Sequence, residues 1–272
     1  MKVLITNDDG FFAGGIQALA AEARKHAEVF VVAPSTEQSG ISQAITFLRP
    51  LNPNPVKEDG KLIGYTVNGT PADCAKLAIH ELCPFKPDLV ISGINNGLNV
   101  GNNVCHSGTV GGAYAASMFD LRSIALSVEF NENPCFDNVA RMAWPIIKQL
   151  TETELPIKSV ANINFPTVVA ERNEISEILA VPVETNPLGY RFQSGHDPKN
   201  KPFFWATNNP APTPSPFLTD TQAVMQGYVT LSMIAYNPNH DEGNQLLASM
   251  FATEPANEQP NNPNLPSEHS KA

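Results

Sequence analysis

The sequence predicts a layered α/β fold, with a mainly parallel sheet through about residue 165 and an antiparallel, hairpin-like appendage from about 170 to 252. Three observations carry this. The runs 2–6, 29–33, 89–92 and 124–128 are almost continuously apolar rather than alternating, as strands buried on both faces are. Stretches with apolar residues at helical spacing separate them, which is the βαβα rhythm of a parallel sheet. Beyond residue 170 that rhythm stops, and strand-like runs at 178–184 and 228–234 flank a Pro/Asn-rich loop at 196–217.

The elements follow in order. The first strand ends in Asn7-Asp8-Asp9-Gly10, a turn-forming group. Ile16, Leu19, Ala20 and Ala23 then share one helix face. Pro34 stops the second strand, and residues 35–44, with Ser35, Ser39, Gly40 and Ser42, form the loop at its end. Residues 51–61, rich in Pro, Asn and charge, form an exposed connection or hairpin. Thr70-Pro71-Ala72-Asp73 starts a helix, with Thr70 as cap, Pro71 at the first position and Asp73 in the first turn. The stripe Cys74, Leu77, Ala78, Leu82 continues it. The third strand runs into a Gly/Asn-rich stretch, 93–103, after which Ser107-Gly108-Thr109 opens a small-residue helix. Residues 141–150 are helical, with Pro145 as a kink or a start. Residues 1–252 form one domain. Residues 253–272, rich in Pro, Asn, Glu and Ser, lack an apolar pattern and form a disordered tail.

Composition narrows the function. With 272 residues and a net charge of -10, the chain lacks the basic face of a general binder of nucleic-acid duplexes. A nucleotide substrate remains open, because a bound cation can supply local positive charge. No apolar run reaches the length of a membrane span, and residues 1–9 do not form a secretory signal. Cys74, Cys83, Cys105 and Cys135 form no Cys-x-x-Cys pair and read as reduced, mostly buried thiols. A cytoplasmic location follows.

In an open α/β sheet, ligands gather at the carboxyl ends of the strands. Three polar loops sit there: 7–10, 35–42 and 93–109. Asp8 and Asp9 repel each other unless a cation neutralises them, and hard divalent ions prefer such oxygen ligands. Taken alone, such a pair is more often a solvated turn that caps the next helix; its place after the first buried strand, with two further polar strand-end loops, favours the cation. Ser107, Gly108 and Thr109 open a Gly-rich helix whose N–H groups and hydroxyls suit a phosphate, although small residues also serve close helix packing. Asn95, Asn96, Asn99, Asn102 and Asn103 offer neutral oxygens and amide donors, with turn chemistry expected of Asn102 and Asn103. His106 adjoins this cradle, either as proton donor to a leaving group or as simple lining.

These residues assemble into a recognisable set. Leu4-Ile5-Thr6-Asn7-Asp8-Asp9-Gly10 with Gly15-Ile16-Gln17, Ala33-Pro34 with Gln38-Ser39-Gly40, Asn68 to Cys74, Ser92-Gly93-Ile94-Asn95 with Gly97, Asn99 and Gly101, and Ser107-Gly108-Thr109-Val110 follow one another in order. The chain thereby resembles the SurE survival-protein family of 5'/3'-nucleotidases through about residue 130. A fainter echo runs from Thr219-Asp220 to Gly227-Tyr228-Val229. The resemblance implies a Rossmann-like domain with helices on both faces, a swapped C-terminal arm, and homodimers or homotetramers. It implies one magnesium or manganese ion per subunit, held by Asp8, Asp9, Ser39 and Asn95, and release of phosphate from nucleoside monophosphates. His106 stands where the family often has tyrosine, the helix after Gly111 lacks its usual charged residues, and Trp205 lies in an unusual loop. These departures leave the metal motif intact and bear on substrate preference.

The expectation is therefore a divalent-metal-dependent 5'-nucleotidase. Asp8, Asp9 and Asn95 are its catalytic candidates, and Gly40, Asn96, Ser107, Gly108 and Thr109 its substrate-binding ones. The Ser107 and Thr109 hydroxyls are assigned to the phosphate rather than the metal. Whether an aspartate acts as base or nucleophile is open. The rivals are a non-catalytic nucleotide-binding module and a phosphoryl-accepting signalling domain. An Asp-x-Asp phosphatase is disfavoured, since Gly10 and Phe11 stand two positions after Asp8 and Asp9. Phe192, Phe203, Phe204, Trp205 and Phe217, in a region with little core, predict association through the appendage.

Overall fold

The computed structural model describes residues 1–186, 191–207, 215–235 and 239–251. They fall into two units, Met1–Tyr236 and Asn237–Ala272. The first unit runs β1 (Lys2–Thr6), α1 (Gly14–Ala23), β2 (Glu28–Pro34), β3 (Pro53–Glu58), β4 (Lys61–Val67) and α2 (Pro71–Leu77), the last continued by a π-type stretch, Ala78–Leu82. Next come β5 (Leu89–Asn96), a 3-10 turn (Gly101–Cys105), α3 (Gly108–Ser117), β6 (Arg122–Val128), α4 (Phe136–Glu152) and β7 (Ser159–Phe165). It closes with α5 (Thr167–Arg172), β8 (Ile178–Ala180), β9 (Arg191–His196), β10 (Pro202–Thr207), α6 (Asp220–Met225) and β11 (Val229–Ala235). The described part of the second unit includes α7 (Asp241–Phe251). The expected tail, 253–272, lies outside the described residues.

Nine strands form one sheet in the order β3-β4-β2-β1-β5-β6-β7-β11-β8, parallel from β4 through β7. Alternation along each strand sends side chains to opposite faces. Val3, Ile5, Val31 and Ile91 pack with Ile16 and Leu19 of α1 and Val139 and Ile147 of α4. Leu4, Val32 and Val90 pack with Ala72 and Ala75 of α2 and Ala115 and Ala116 of α3. Both faces are therefore dry, which is why these strands read as continuous apolar runs. Each fully buried Leu, Ile or Val contributes about 1.5–3 kcal/mol. The order reverses at β1, between β2 and β5, and this reversal opens the crevice used by ligands in such sheets.

The expected antiparallel hairpin is present in the C-terminal region, but the strand-like runs that flank it lie in the main sheet. The runs at 178–184 and 228–234 do not make a sheet of their own. β11 joins the main sheet antiparallel to β7, and β8 pairs parallel to β11, because Val229 and Leu231 complete the main core. The separate antiparallel element is the β9–β10 hairpin, on which Phe192, Phe203, Phe204 and Trp205 are exposed. Residues 51–61 belong to the β3–β4 hairpin, closed by Asp59 and Gly60, both at positive φ, as a tight two-residue turn requires. α4 begins at Phe136 rather than near Arg141 and carries Pro145 in its interior. Only Cys74 of the four thiols is fully buried, and Cys105 is exposed.

Candidate active site

The side chain of Asn7 shapes the end of β1. Its Nδ2 donates to the Gly10 carbonyl at 3.0 Å, and the Gly10 N–H donates to its Oδ1 at 3.1 Å. This closed turn, with Gly10 at φ +102°, holds Asp8 and Asp9 at the sheet's carboxyl edge. The loop after β2 is fastened to it, since the Gln38 N–H donates to the Asp8 carbonyl at 2.7 Å and the Phe11 N–H to the Pro34 carbonyl at 3.0 Å. Ser39 lies on this loop, and its hydroxyl donates to Glu37 at 2.7 Å. Gly40 follows at φ +68°.

The start of α3 forms the second wall. Ser107 caps it, its Oγ accepting the Val110 N–H at 3.1 Å. Thr109 donates its hydroxyl to Asp8 Oδ1 at 2.5 Å, and its backbone also lowers the Asp8 pKa. A Cβ on Gly108 would stand 2.8 Å from the Asp8 Cβ, so only glycine lets the helix end approach this closely. Both hydroxyls assigned to a phosphate from sequence are thus engaged inside the protein, one as a cap and one on a carboxylate. The 35–44 loop lies along α3: Ser42 donates its N–H to the His106 carbonyl at 2.9 Å and its hydroxyl to the Cys105 carbonyl at 2.8 Å.

The end of β5 supplies the third wall. Asn95 donates its Nδ2 to the Gly97 carbonyl at 2.7 Å, a bond that fixes the side chain and does not use its amide oxygen. Asn96 meets the site through its backbone, which lowers the pKa of Asp9. Its side chain is held by Asn131, accepting that residue's N–H at 3.1 Å and donating to its carbonyl at 3.0 Å. Asn103 performs turn chemistry, its carbonyl accepting from the His106 and Ser107 N–H groups, and Asn102 reaches the Asn186 carbonyl at 3.5 Å. Asn99 points instead into a buried polar cluster between β6 and β7.

The electrostatics follow from this enclosure. Asp8 is only 4% exposed; burial pushes its carboxyl up, against the pull of Thr109, and Glu37 adds to the rise. Burial, then the charge of Asp8, then that of Glu37 push Asp9 up to about 6. Among the described residues no lysine or arginine pairs with either aspartate. Nor does a third acidic, histidine or cysteine side chain complete a three-ligand cage. The candidate donors are two carboxylates, with neutral oxygens of Ser39 and Asn95 on the adjoining strand-end loops. That set suits a small hard cation such as magnesium, which keeps several waters and takes one or two carboxylates. Glu37, two residues before Ser39, is the acidic member not foreseen; its only sequence signal is a carboxylate in a strand-end loop that already carries a candidate ligand. A separate cavity of about 330 Å³, lined by Asp88, Arg122 and Glu154 at the opposite edge of the sheet, shares no residue with this site.

The chain is similar to known proteins over most of its length. Residues 3–186 match the model of the family described as survival protein SurE. The protein named 5'-nucleotidase SurE of Rhodopirellula baltica is 39% identical over 251 residues, covering 92% of this chain and 97% of that protein. The protein named 5'-nucleotidase SurE 1 of Thermus thermophilus is 37% identical over 238 residues, covering 86% and 92%. The crystal structure of the SurE protein from Aquifex aeolicus superposes with a TM-score of 0.79 at 33% identity, covering 92% of this chain and 99% of that one.

Proposed function

This chain belongs to the SurE family, and from that premise we propose that it is a divalent-metal-dependent 5'-nucleotidase, hydrolysing nucleoside 5'-monophosphates to nucleoside and phosphate. The observation that carries the reading is the Asp8–Asp9 pair, enclosed without a side-chain cation at the carboxyl edge of the sheet and against the N-terminus of α3. Nucleoside 3'-monophosphates are a second substrate class in this proposal, the working form is a homodimer or homotetramer, and the location is cytoplasmic.

Asp8, Asp9, Ser39 and Asn95 would hold one magnesium or manganese ion. Such an ion supplies Lewis acidity toward a phosphoryl oxygen and lowers the pKa of a bound water. The remaining chemistry belongs to the chain. Thr109 fixes the orientation of the Asp8 carboxylate through its hydroxyl. Asp9, pushed up to about 6 in the metal-free site, would give up its proton as the cation takes its place. The Val110 N–H is taken by Ser107 Oγ and the Thr109 backbone acts on Asp8, so the Gly108 N–H and the positive end of the α3 dipole are what remain for the phosphoryl group. The test is phosphate release from AMP, dAMP and 3'-AMP by purified protein. The expected result is release from the 5'-monophosphates that stops on chelation. No release from any nucleotide at any added cation would overturn the proposal in favour of a binding module.

A further inference from the structure

We infer that Asp220 is a positioning residue that fixes the linker between Asn95 and the start of α3, acting from the far end of the sequence on the backbone of Gly101. The inference rests on the nucleotidase reading, and it gives a role to the Thr219-Asp220 motif, which the site as described does not use.

Asp220 is fully buried. Its Oδ2 accepts the Gly101 N–H at 3.0 Å, across 119 residues of sequence. Its Oδ1 accepts the Glu184 N–H at 2.9 Å and the Thr221 N–H at 2.7 Å. Three backbone donors thus converge on two oxygens, a pattern that only an acceptor-only group satisfies. An amide at this position would turn an NH₂ toward at least one N–H. Asp220 is itself held, its N–H donating to the Pro182 carbonyl at 2.9 Å.

The linker has a second anchor two residues earlier. The Asn99 N–H donates to Asn164 Oδ1 at 2.8 Å and its Nδ2 to Ser127 Oγ at 2.8 Å, while Asn162 donates to its carbonyl at 2.7 Å. Asn99 is therefore tied to β6 and β7, and Gly101 to α6. Gly101 sits at φ +54°, where a Cβ would lie 3.1 Å from Thr221 Oγ1. From this fixed point the 3-10 turn leads to Ser107. The distance from Asn95 to the α3 N-terminus is thus set by groups outside all three site loops. A displacement of about 1 Å in catalytic geometry can cost on the order of a hundredfold in rate.

The test uses the full chain, Asp220→Asn, and a Ser215→Ala/Thr219→Val control. The control loosens Glu184, which accepts from both hydroxyls, and leaves the carboxylate of Asp220 in place. Amide hydrogen exchange across residues 97–106 is read beside kcat and KM for AMP and the manganese dissociation constant. Asp220→Asn is expected to speed exchange in 97–106 at least about tenfold and to lower kcat/KM about ten- to a hundredfold, with manganese affinity within about threefold of wild type. The control should show neither change. Unaltered exchange and kcat/KM in Asp220→Asn would overturn the inference, as would an equal effect of the control. Should Asp220→Asn fail to fold, the wild-type Gly101 amide decides: strong protection supports the anchor, and open-chain exchange overturns it. A wild-type protein that releases no phosphate would overturn the nucleotidase reading, while the exchange measurements still judge the anchor.

Discussion

Thr109 donates its hydroxyl to Asp8 Oδ1 at 2.5 Å, joining the first turn of α3 to the end of β1 across 101 residues of sequence. A hydrogen bond to an ionised group contributes about 1.5–3 kcal/mol, and this one opposes the upward push of burial on the Asp8 carboxyl. Thr109→Val should therefore raise the Asp8 pKa further and weaken manganese binding about ten- to a hundredfold, with the rate falling in step. Titration calorimetry with manganese at pH 7 checks it. Unchanged affinity with a lowered kcat would return the hydroxyl to the phosphate, as the sequence suggests.

Asp9 predicts a stability gain on its removal. Its pKa is raised, so its charged form is disfavoured in the folded state. In the absence of divalent cations at pH 7.5, Asp9→Asn should melt above wild type and should not be stabilised by manganese. A lower melting temperature that manganese restores would contradict this.

The same shift fixes a pH dependence. Between the ordinary value of 3.8 and about 6, the folded state holds more of the Asp9 proton than the unfolded state does. The stability associated with that proton is present at low pH and lost as pH rises through the window. The melting advantage of Asp9→Asn over wild type should accordingly shrink from pH 7.5 to pH 4.5. Because a cation must displace the proton, manganese affinity should fall about tenfold per pH unit well below pH 6. A pH-independent difference between the two proteins would argue that Asp9 is not perturbed in the fold.

Glu37 acts on both aspartates by charge and on Ser39 by accepting its hydroxyl. Glu37→Gln should lower the Asp9 pKa, read by carbon-13 NMR of the side-chain carboxyl. It should weaken manganese binding only a few-fold, since Glu37 is exposed and solvent screens it. A loss of manganese binding as large as that of Asp9→Asn would make Glu37 a direct ligand.

Much of the fold is legible in the sequence because β1, β2, β5 and β6 are dry on both faces and so carry unbroken apolar runs. β7 is just as buried, but Ser159, Asn162 and Asn164 interrupt its apolar run. Those asparagines are buried to hold Asn99, a purpose visible only once the linker lies over the sheet. The places of β8 and β11 were equally hidden, because the partner of β11 in the main sheet, β7, lies more than 60 residues before it in the chain. At the site, the acidic pair and its three loops announce themselves by residue type at strand ends. The partners of Thr109, Asn96 and Asp220 do not, because each depends on which backbone meets which side chain across the fold.

Hydrolysis by this protein should require one divalent cation at Asp8 and Asp9. The most direct measurement is phosphate release from AMP by a single preparation, first stripped with chelator and then titrated with manganese while bound metal is counted. The account predicts no release after stripping, recovery in proportion to occupancy up to one ion per chain, and no recovery in Asp9→Asn. Full turnover by the stripped protein, or recovery in Asp9→Asn equal to wild type, would contradict it.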